Sequence, residues 1–255
     1  MLDELLFRFP PISLDEMSSV KLMNRTDTKF LTTVDVLMEL LGMARDEYYA
    51  QEIDGVRNAT YQTAYYDTGD CNMFYDHIWG HTNRQKIRFR TYVGSGLQFM
   101  EVKTKNNHGR TKKKRMEVTD TDLGDPAKLH FLSEHLRYAA SLLQPAVENR
   151  FHRITLVNRG KTERLTIDTD VNFRNLSTGA TCSMGPLCII ELKRDGRVFS
   201  PILEKMWRLR IHPHGFSKYC FGLALTSPQL PANRLKPKMA DVRKLLAKSD
   251  FTGNI

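Results

Sequence analysis

Basic side chains recur at every second position in one short segment of this 255-residue chain. The segment KIRFRTY places Lys86, Arg88 and Arg90 on one side of an extended backbone and Ile87 and Phe89 on the other. Because successive side chains of a β-strand point to opposite faces, this period of two assigns the bases to one face of a sheet. Arginine and lysine grouped in this way can bind phosphate, and arginine can do so through two parallel hydrogen bonds.

Four other segments have the same alternation, and they are NRTDTKF (24–30), FMEVKTK (99–105), RLTIDTDV (164–171) and IIELK (189–193). Their polar faces carry the bases Arg25, Lys29, Lys103, Lys105, Arg164 and Lys193 and the acids Asp27, Glu101, Asp168, Asp170 and Glu191. A sheet with one side in solvent would look the same strand by strand. Because several strands repeat the pattern, we favour a closed barrel with a charged interior.

The surplus of bases predicts an anionic ligand for that interior. Two like charges about 8 Å apart repel by roughly 2 kcal/mol at an effective dielectric near 20. Triphosphate or polyphosphate would relieve this repulsion along a row of bases. Glu191 and Glu101 are candidates for holding a divalent cation that bridges phosphate oxygens.

Helix signals lie between the strand segments. The first predicted helix begins with a capping box at Ser13 and Glu16, and the second begins after Thr32 or Thr33. The third follows Asp125-Pro126, with an apolar stripe that reaches Leu143, and the fourth begins at Ser200-Pro201. A fifth, solvated helix is predicted near residues 241–248. The sequence has no internal repeat or flexible linker, so we predict one domain over residues 1–255 with a C-terminal tail at 228–255.

The composition is that of a basic globular protein. Lys and Arg number 38 against 29 Asp and Glu, which gives a net charge of +9 and favours polyanionic partners without choosing among them. The four cysteines form no CxxC pair, and no apolar run approaches the roughly 20 residues of a membrane helix. These features predict a cytoplasmic protein with no membrane segment.

Seven segments, in order across residues 22–222, resemble the VTC domain. They are LMNRTDTKF, YYDT, KIRFRTY, FMEVKTK, RLTIDTDV, IIELK and FSKYCFG. This domain is the polyphosphate polymerase of the eukaryotic vacuolar transporter chaperone complex and of free-standing bacterial relatives, within the triphosphate tunnel metalloenzyme superfamily. The resemblance implies an α+β fold with a closed eight-stranded antiparallel barrel, helices packed outside it, and a tunnel that binds nucleoside triphosphate and Mn²⁺ or Mg²⁺.

The resemblance also implies roles for individual residues. Catalytic positions are Lys29, Arg88, Arg90, Lys103, Arg153, Arg164 and Lys218, with Glu191 and also Glu101 as metal ligands. Further substrate contacts are predicted for Arg25, Lys86, Tyr92, Lys105, Lys193 and Ser217. We prefer Arg153 to Arg150 because Thr155 shares its side of the strand, while Ile154 lies on the other side.

The predicted function is an ATP-dependent polyphosphate polymerase, whose partners are ATP, phosphate and polyphosphate. The ExExK signature of the wider superfamily is replaced by Arg25, Asp27 and Lys29, so metal binding depends mainly on Glu191. Two alternatives stay open. One is a metal-dependent inorganic or nucleoside triphosphatase of the same fold, and the other is a non-catalytic binder of polyphosphate or RNA. Nucleic acid is the less favoured partner, because we interpret the basic run at 110–115 as a solvated loop, and the sequence leaves the oligomeric state open.

Overall fold

A computed structural model describes residues 1–18, 25–108, 110–196 and 198–249. The strands in this part of the chain are β1 Pro11–Ile12, β2 Arg25–Thr33, β3 Tyr48–Gln51, β4 Asn58–Thr68, β5 Arg84–Tyr92, β6 Gln98–Lys105, β7 Thr111–Val118, β8 Leu143–Asn158, β9 Glu163–Asn175, β10 Thr181–Ser183 and β11 Leu187–Asp195. The helices are α1 Leu2–Leu6, α2 Leu14–Ser18, α3 Val34–Ala44, α4 Asn72–Ile78, α5 Pro126–His135, α6 Pro201–Arg208, α7 Lys218–Thr226 and α8 Lys236–Leu246, with 3₁₀ turns at Ala140–Leu142 and Asn233–Leu235.

Local sequence signals explain where several helices begin. Ser13 and Glu16 form the predicted capping box, in which the Ser13 hydroxyl accepts from Glu16 N at 3.2 Å and the Glu16 carboxylate accepts from Ser13 N at 2.9 Å. Asp125 caps α5 by accepting from Ala127 N at 2.7 Å. The predicted third helix ends at His135, because the chain from Leu143 onward is needed as strand β8.

The prediction of a closed eight-stranded barrel is wrong. Eleven strands of the described residues form one open sheet, whose main order is β2-β11-β9-β8-β4-β5-β6-β7 with every neighbour antiparallel. Within the ranges described, the end strands β2 and β7 do not pair with each other. The remaining strands add to the outside of this order, with β3 on β8, β1 on β3 and β10 on β9.

Both edges have a physical reason for staying unpaired. On β2, the Lys29 carbonyl accepts from His214 N at 2.8 Å and Phe30 bridges to Pro213, so another segment occupies the hydrogen-bonding edge. Strand β7 exposes the four consecutive bases from Lys112 to Arg115, and charged side chains of this kind keep an edge strand from pairing.

The sheet has two faces of different character. We call the face that carries Lys29, Arg88, Lys103, Arg153 and Glu191 the ionic face, and the opposite one the apolar face. On the apolar face, α1, α3 and α6 cover β2, β11, β9 and β8 in one core, and α5 with part of α4 covers β4 to β7 in another. These two cores bury the alternate apolar residues of every central strand.

One helix lies on the side of the sheet where none was predicted. The buried residues Tyr219, Phe221 and Leu223 of α7 join a core with Tyr65 and Phe151 of the ionic face, at one end of it. Helix α8 contributes Val242 and Leu246 to the same core, so it is not the solvated helix that the sequence predicts. The ionic face is therefore basic in its centre and closed by apolar packing at this end. None of the helices described here has the length and apolar composition needed to span a membrane.

Candidate active site on the ionic face

Strand register brings the charged residues of β2, β11, β9 and β8 together. Glu191 pairs with Lys29 across β11 and β2, and its carboxylate accepts from Lys29 Nζ at 2.8 Å and lies 3.1 Å from Lys193 Nζ. Arg153 on β8 faces Asp168 on β9 and donates to both carboxylate oxygens, from Nε at 2.6 Å and from Nη2 at 2.8 Å. Arg153 thus lies on the ionic face, as predicted, whereas Arg150 lines a separate pocket with Arg174 and Ser183.

A second group of charges comes from β5, β6 and β7. Arg88 lies opposite Glu101 and donates from Nε to its carboxylate at 2.7 Å, and Lys113 of β7 donates to the other oxygen at 3.1 Å. Lys86 and Lys103 are direct cross-strand neighbours, although both are bases. Like charges placed directly opposite each other destabilise a sheet, which is typical of a site that is completed by an anion.

The first turn of α7 connects these two groups. Ser217 caps the helix, and its hydroxyl accepts from Cys220 N at 3.3 Å and from Lys86 Nζ at 2.9 Å. The next residue, Lys218, donates from Nζ to the Asp168 carboxylate. One helix end therefore contacts β5 and β9, which lie on different halves of the sheet.

The buried carboxylates are held in their charged form by the surrounding cations. Burial alone would raise the pKa of Glu101, but the charges of Arg88, Arg90 and Lys113 hold it well below its ordinary value. Burial alone would likewise raise the pKa of Glu191, but the charges of Lys193 and Lys29 outweigh it and hold this pKa well below its ordinary value. The pKa of Asp168 is lowered to about 2 by Arg153 and Lys218 against the effect of burial.

The pKa values of Arg88 and Arg153 are raised, because Tyr65 with Glu101 and Asp168, respectively, outweigh the effect of burial. Several other bases of the site have lowered pKa values. The Arg88 charge, followed by burial and Arg90, holds the pKa of Lys103 well below its ordinary value. Burial and the neighbouring guanidinium groups of Arg88 and Arg153 lower the pKa of Arg90 to about 10. Burial also lowers the pKa of Lys86, Lys193 and Lys218. The carboxylates present do not neutralise these cations, so a bound polyanion would stabilise their charged forms.

The two halves of the sheet also approach each other. Glu191 acts electrostatically on Lys103, whose lowered pKa it partly restores, although four strands separate β11 from β6. On a flat sheet five strand spacings would place these residues about 24 Å apart, beyond the range of an effective charge interaction. The contacts of the adjacent residues Ser217 and Lys218 with Lys86 of β5 and Asp168 of β9 agree with this proximity. The open sheet is therefore curled around its ionic face, and the face forms one site.

The structure brings most of the predicted site residues into this single site. They are Lys29, Lys86, Arg88, Arg90, Glu101, Lys103, Arg153, Arg164, Glu191, Lys193, Ser217 and Lys218. Lys105 lies further along β6, opposite Arg84, and Tyr92 lies at the other end of β5, against Tyr61. Arg25 begins β2, and its side chain falls outside what the structure describes. The roles of all these residues in binding or catalysis stay predictions.

Sequence reasoning missed several residues of the site. The run TKKKR was interpreted as a loop, yet it forms β7 and places Lys113 beside Glu101 and Arg115 against Phe99. A uniform run of bases has no period of two, so it carries no signal for a face. Asp170, which was grouped with Asp168, has a positive φ of 49° at a register shift of β9, and its side chain is exposed.

The described residues fit a metal ion that is shared with a substrate. No three His, Cys, Asp or Glu side chains of the described chain come close enough to enclose an ion by themselves. Mg²⁺ commonly binds through one or two carboxylates and the phosphates of its substrate. The Glu191 side chain is 22% exposed and that of Glu101 only 1%, so Glu191 is the more accessible of the two candidate ligands.

The fold and site define an α+β protein with a basic site on a curled antiparallel sheet. The family model described as VTC domain matches residues 24–227, and the chain belongs to this family. A comparison with curated proteins finds no match.

Solved structures that are similar to this chain include three proteins described as candidate adenylate or adenylyl cyclases. The one from Bacillus halodurans is 12% identical with a TM-score of 0.51, covering 76% of this chain and 96% of its own. The Hippeastrum protein, described as having a dominant triphosphatase activity, is 13% identical with a TM-score of 0.49, covering 82% and 99%. The Vibrio parahaemolyticus protein is 12% identical with a TM-score of 0.43, covering 76% and 94%. At this identity the likeness to the Bacillus halodurans protein concerns the fold alone.

Proposed function

We propose that this chain is an ATP-dependent polyphosphate polymerase, which transfers the γ-phosphate of ATP to a growing polyphosphate chain on the ionic face. Family membership supports phosphate chemistry, and one observation supports a site for a phosphate chain. Bases from β5, β6, β8 and α7 act on one another electrostatically, and the carboxylates among them do not balance their charge. A phosphate chain supplies negative charges in a row, as this arrangement requires.

The proposed mechanism depends on positioning and charge. Phosphoryl transfer passes through a loose transition state whose charge is spread over the transferred oxygens. Arg88, Arg90, Lys103, Arg153 and Arg164 bind the donor phosphates and stabilise that charge. Lys29 and Lys218 guide the product chain, and Lys86, Lys105, Lys193, Arg25, Ser217 and Tyr92 make further substrate contacts.

An already ionised acceptor favours transfer over hydrolysis at this site. A terminal phosphate needs no strong base to become a nucleophile, whereas water is activated by a general base. Three carboxylates of the site are each held by two cations: Glu101 by Arg88 and Lys113, Asp168 by Arg153 and Lys218, and Glu191 by Lys29 and Lys193. Carboxylates with lowered pKa values are poor proton acceptors, which supports the polymerase over a triphosphatase.

Glu191 would hold a divalent ion, Mn²⁺ or Mg²⁺, together with the substrate phosphates. The ion, when bound, would offset negative charge on the β- and γ-oxygens. Glu101 is fully enclosed between Arg88 and Lys113, so we assign it second place as a ligand. Lys29 and Lys193 would keep the Glu191 carboxylate ionised and oriented before the ion arrives.

We also propose one functional unit in the cytoplasm. Helix α8, from the predicted tail, packs into the core formed with α7, which supports a single domain. All four cysteines are free thiols, which supports a reducing compartment.

Incubation of the purified protein with ATP and Mn²⁺ tests the proposal. We expect long polyphosphate, resolved by gel electrophoresis, with ADP as the second product. Free phosphate without polymer would identify a triphosphatase, and absence of turnover with retained polyphosphate binding would identify a non-catalytic binder.

The substitution Glu191→Gln separates the role of the metal from that of the bases. Turnover should fall by roughly 100-fold or more, because a charged group at the reacting phosphates is lost. Binding of inorganic triphosphate without metal, measured by calorimetry, should persist, since the substitution removes a negative charge from a basic site. Glu134→Gln on the exposed side of α5 is the matched control. Full turnover in Glu191→Gln would contradict the metal assignment.

A further inference from the structure

At one end of the ionic face, the side chains change from basic to aromatic. Tyr92 follows Lys86, Arg88 and Arg90 on the same side of β5, and Phe99 of β6 lies directly opposite Arg90. Both aromatic side chains are only partly buried. Their ring centroids are 5.9 Å apart at 85°, and a buried third ring, Tyr61 of β4, lies 4.9 Å from Tyr92.

This aromatic group is continuous with the phosphate-binding bases. The guanidinium carbons of Arg90 and Arg153 lie 5.8 Å and 5.1 Å from the centroid of the Tyr61 ring. From Arg88 to Tyr92 the strand rises about 14 Å, at roughly 3.4 Å per residue. An extended nucleoside triphosphate whose terminal phosphate is near Arg88 would therefore bring its base to the aromatic end.

An exposed arginine, Arg115, covers a face of one of these rings. Its guanidinium carbon lies 4.7 Å from the centroid of Phe99, and its side chain is exposed on the edge strand β7. A guanidinium is planar and stacks on aromatic faces, as nucleobases do. Movement of the exposed Arg115 side chain would free this ring face for a planar group, on which Arg115 could then stack in turn.

We propose that Phe99, Tyr92 and Arg115 form a stacking site for the base of a nucleoside triphosphate donor. The proposal rests on the proposed function in naming that donor, and it adds that the protein distinguishes a nucleotide from inorganic triphosphate. Stacking needs only the flat face of the base, so it gives affinity for nucleotides in general. The aromatic residues set this preference, while the bases further along the face bind the phosphates of both ligands.

Calorimetric titrations with two probes test the stacking site. The probes are a non-hydrolysable ATP analogue and inorganic triphosphate, each with the intact protein and with Phe99→Ala. We expect the analogue to bind roughly ten-fold more weakly to the variant, with triphosphate affinity changed by less than about two-fold. Phe99→Leu keeps apolar packing without an aromatic face, so it should show the same selective loss if Phe99→Ala fails to fold.

Two substitutions elsewhere serve as controls. Phe199→Ala removes an exposed aromatic side chain near α6, and Lys114→Ala removes a base from the opposite side of β7, where it pairs with Val102. Neither should change the ratio of the two affinities. Arg115→Lys keeps the charge and loses the planar group, so it should weaken binding of the analogue by about three-fold and leave the affinity for triphosphate unchanged.

The outcomes separate this inference from the proposed function. If Phe99→Ala loses affinity for both probes equally, or for neither, the stacking site is refuted, even in a protein that makes polyphosphate. If Phe99→Ala loses affinity for the analogue alone and the native protein makes no polymer, the stacking site is supported and the polymerase is refuted.

Discussion

Single residues on the ionic face form a repeated unit of one acid between two bases. Glu101 contacts Arg88 and Lys113, Asp168 contacts Arg153 and Lys218, and Glu191 contacts Lys29 and Lys193. Each unit has a formal charge of +1, because it holds two bases and one acid, and the three units together carry +3 on a partly buried face. The acids position the bases, and the excess charge is what a phosphate chain would neutralise.

Asp168 should make the stability of the protein depend on acid pH. Its pKa is lowered from 3.8 to about 2, so its contribution is present above pH 4 and is lost as the pH falls through 2. For this fully enclosed group the difference corresponds to about 2 kcal/mol. Asp168→Asn leaves Arg153 and Lys218 without their carboxylate, and we expect it to lower the free energy of unfolding at pH 5 by about 3 kcal/mol.

Urea unfolding between pH 5 and pH 2.5 measures this contribution. The difference in free energy of unfolding between the native protein and Asp168→Asn should become smaller as the pH falls, because protonated Asp168 is uncharged, as the asparagine amide is. Asp170→Asn, on an exposed side chain two residues away, is the control. A difference in free energy of unfolding that does not change with pH would show that Asp168 is not held in its charged form by its neighbours.

The sequence predicts which residues share the ionic face, but not which ones touch. Period two is a local signal, so Lys29, Arg88 and Glu191 could each be placed on a face from their own segments. Lys29 and Glu191 are 162 positions apart, and their contact depends on the register of β2 against β11. Register is set by packing and by turns far from either residue, so no short segment encodes it.

Among the secondary-structure elements, helix α7 was not predicted from the sequence, although the site depends on it. Its buried residues Tyr219, Cys220, Phe221, Gly222 and Leu223 are consecutive, so the segment lacks the polar side that makes a surface helix recognisable. The Tyr219 hydroxyl donates to Asp67, which also accepts from Met73 N and Phe74 N at the start of α4. These bonds fix the helix whose first turn supplies Ser217 and Lys218.

Gly222 sets how closely α7 approaches the sheet. A Cβ at this position would lie 2.5 Å from Cδ1 of Phe173, a buried residue of β9. Gly222→Ala should therefore lower the free energy of unfolding by about 1–3 kcal/mol, although alanine is the better helix former. It should also weaken phosphate binding, since α7 carries Ser217 and Lys218.

Gly42 in α3 is a matched control for this effect. A Cβ there would meet no atom within 4 Å, so Gly42→Ala should raise stability by about 0.5–1 kcal/mol. Chemical denaturation of the two variants gives the comparison. The same sign of change at both positions would argue against close packing of α7 on Phe173.

For the whole molecule, the sequence predicts the polarity of the sheet and fails on its closure. The α+β class and the division into an ionic and an apolar face follow from alternation in β5, β6, β9 and β11. Closure depends on what occupies each edge, and here the segment at Pro213 and His214 takes the edge of β2. That contact involves residues without a periodic pattern, so the strand segments alone could not reveal it.

A curled open sheet can still enclose one ligand from both sides. Glu191 of β11 and Lys103 of β6 act on each other across four intervening strands. The central claim of our account is that the two halves of the ionic face form one binding site for a phosphate chain. Lys29 belongs to one half and Lys103 to the other, so the pair can test this claim.

Calorimetric titration of inorganic triphosphate into the native protein, Lys29→Ala and Lys103→Ala is the most direct measurement. Our account predicts one triphosphate per chain and a roughly ten-fold loss of affinity in each variant, because each lysine makes a charge-assisted contact to the same ligand. Lys114→Ala, on the other side of β7, should bind as the native protein does. Two independent sites, or a loss confined to one of the two variants, would contradict a single site shared by both halves of the sheet.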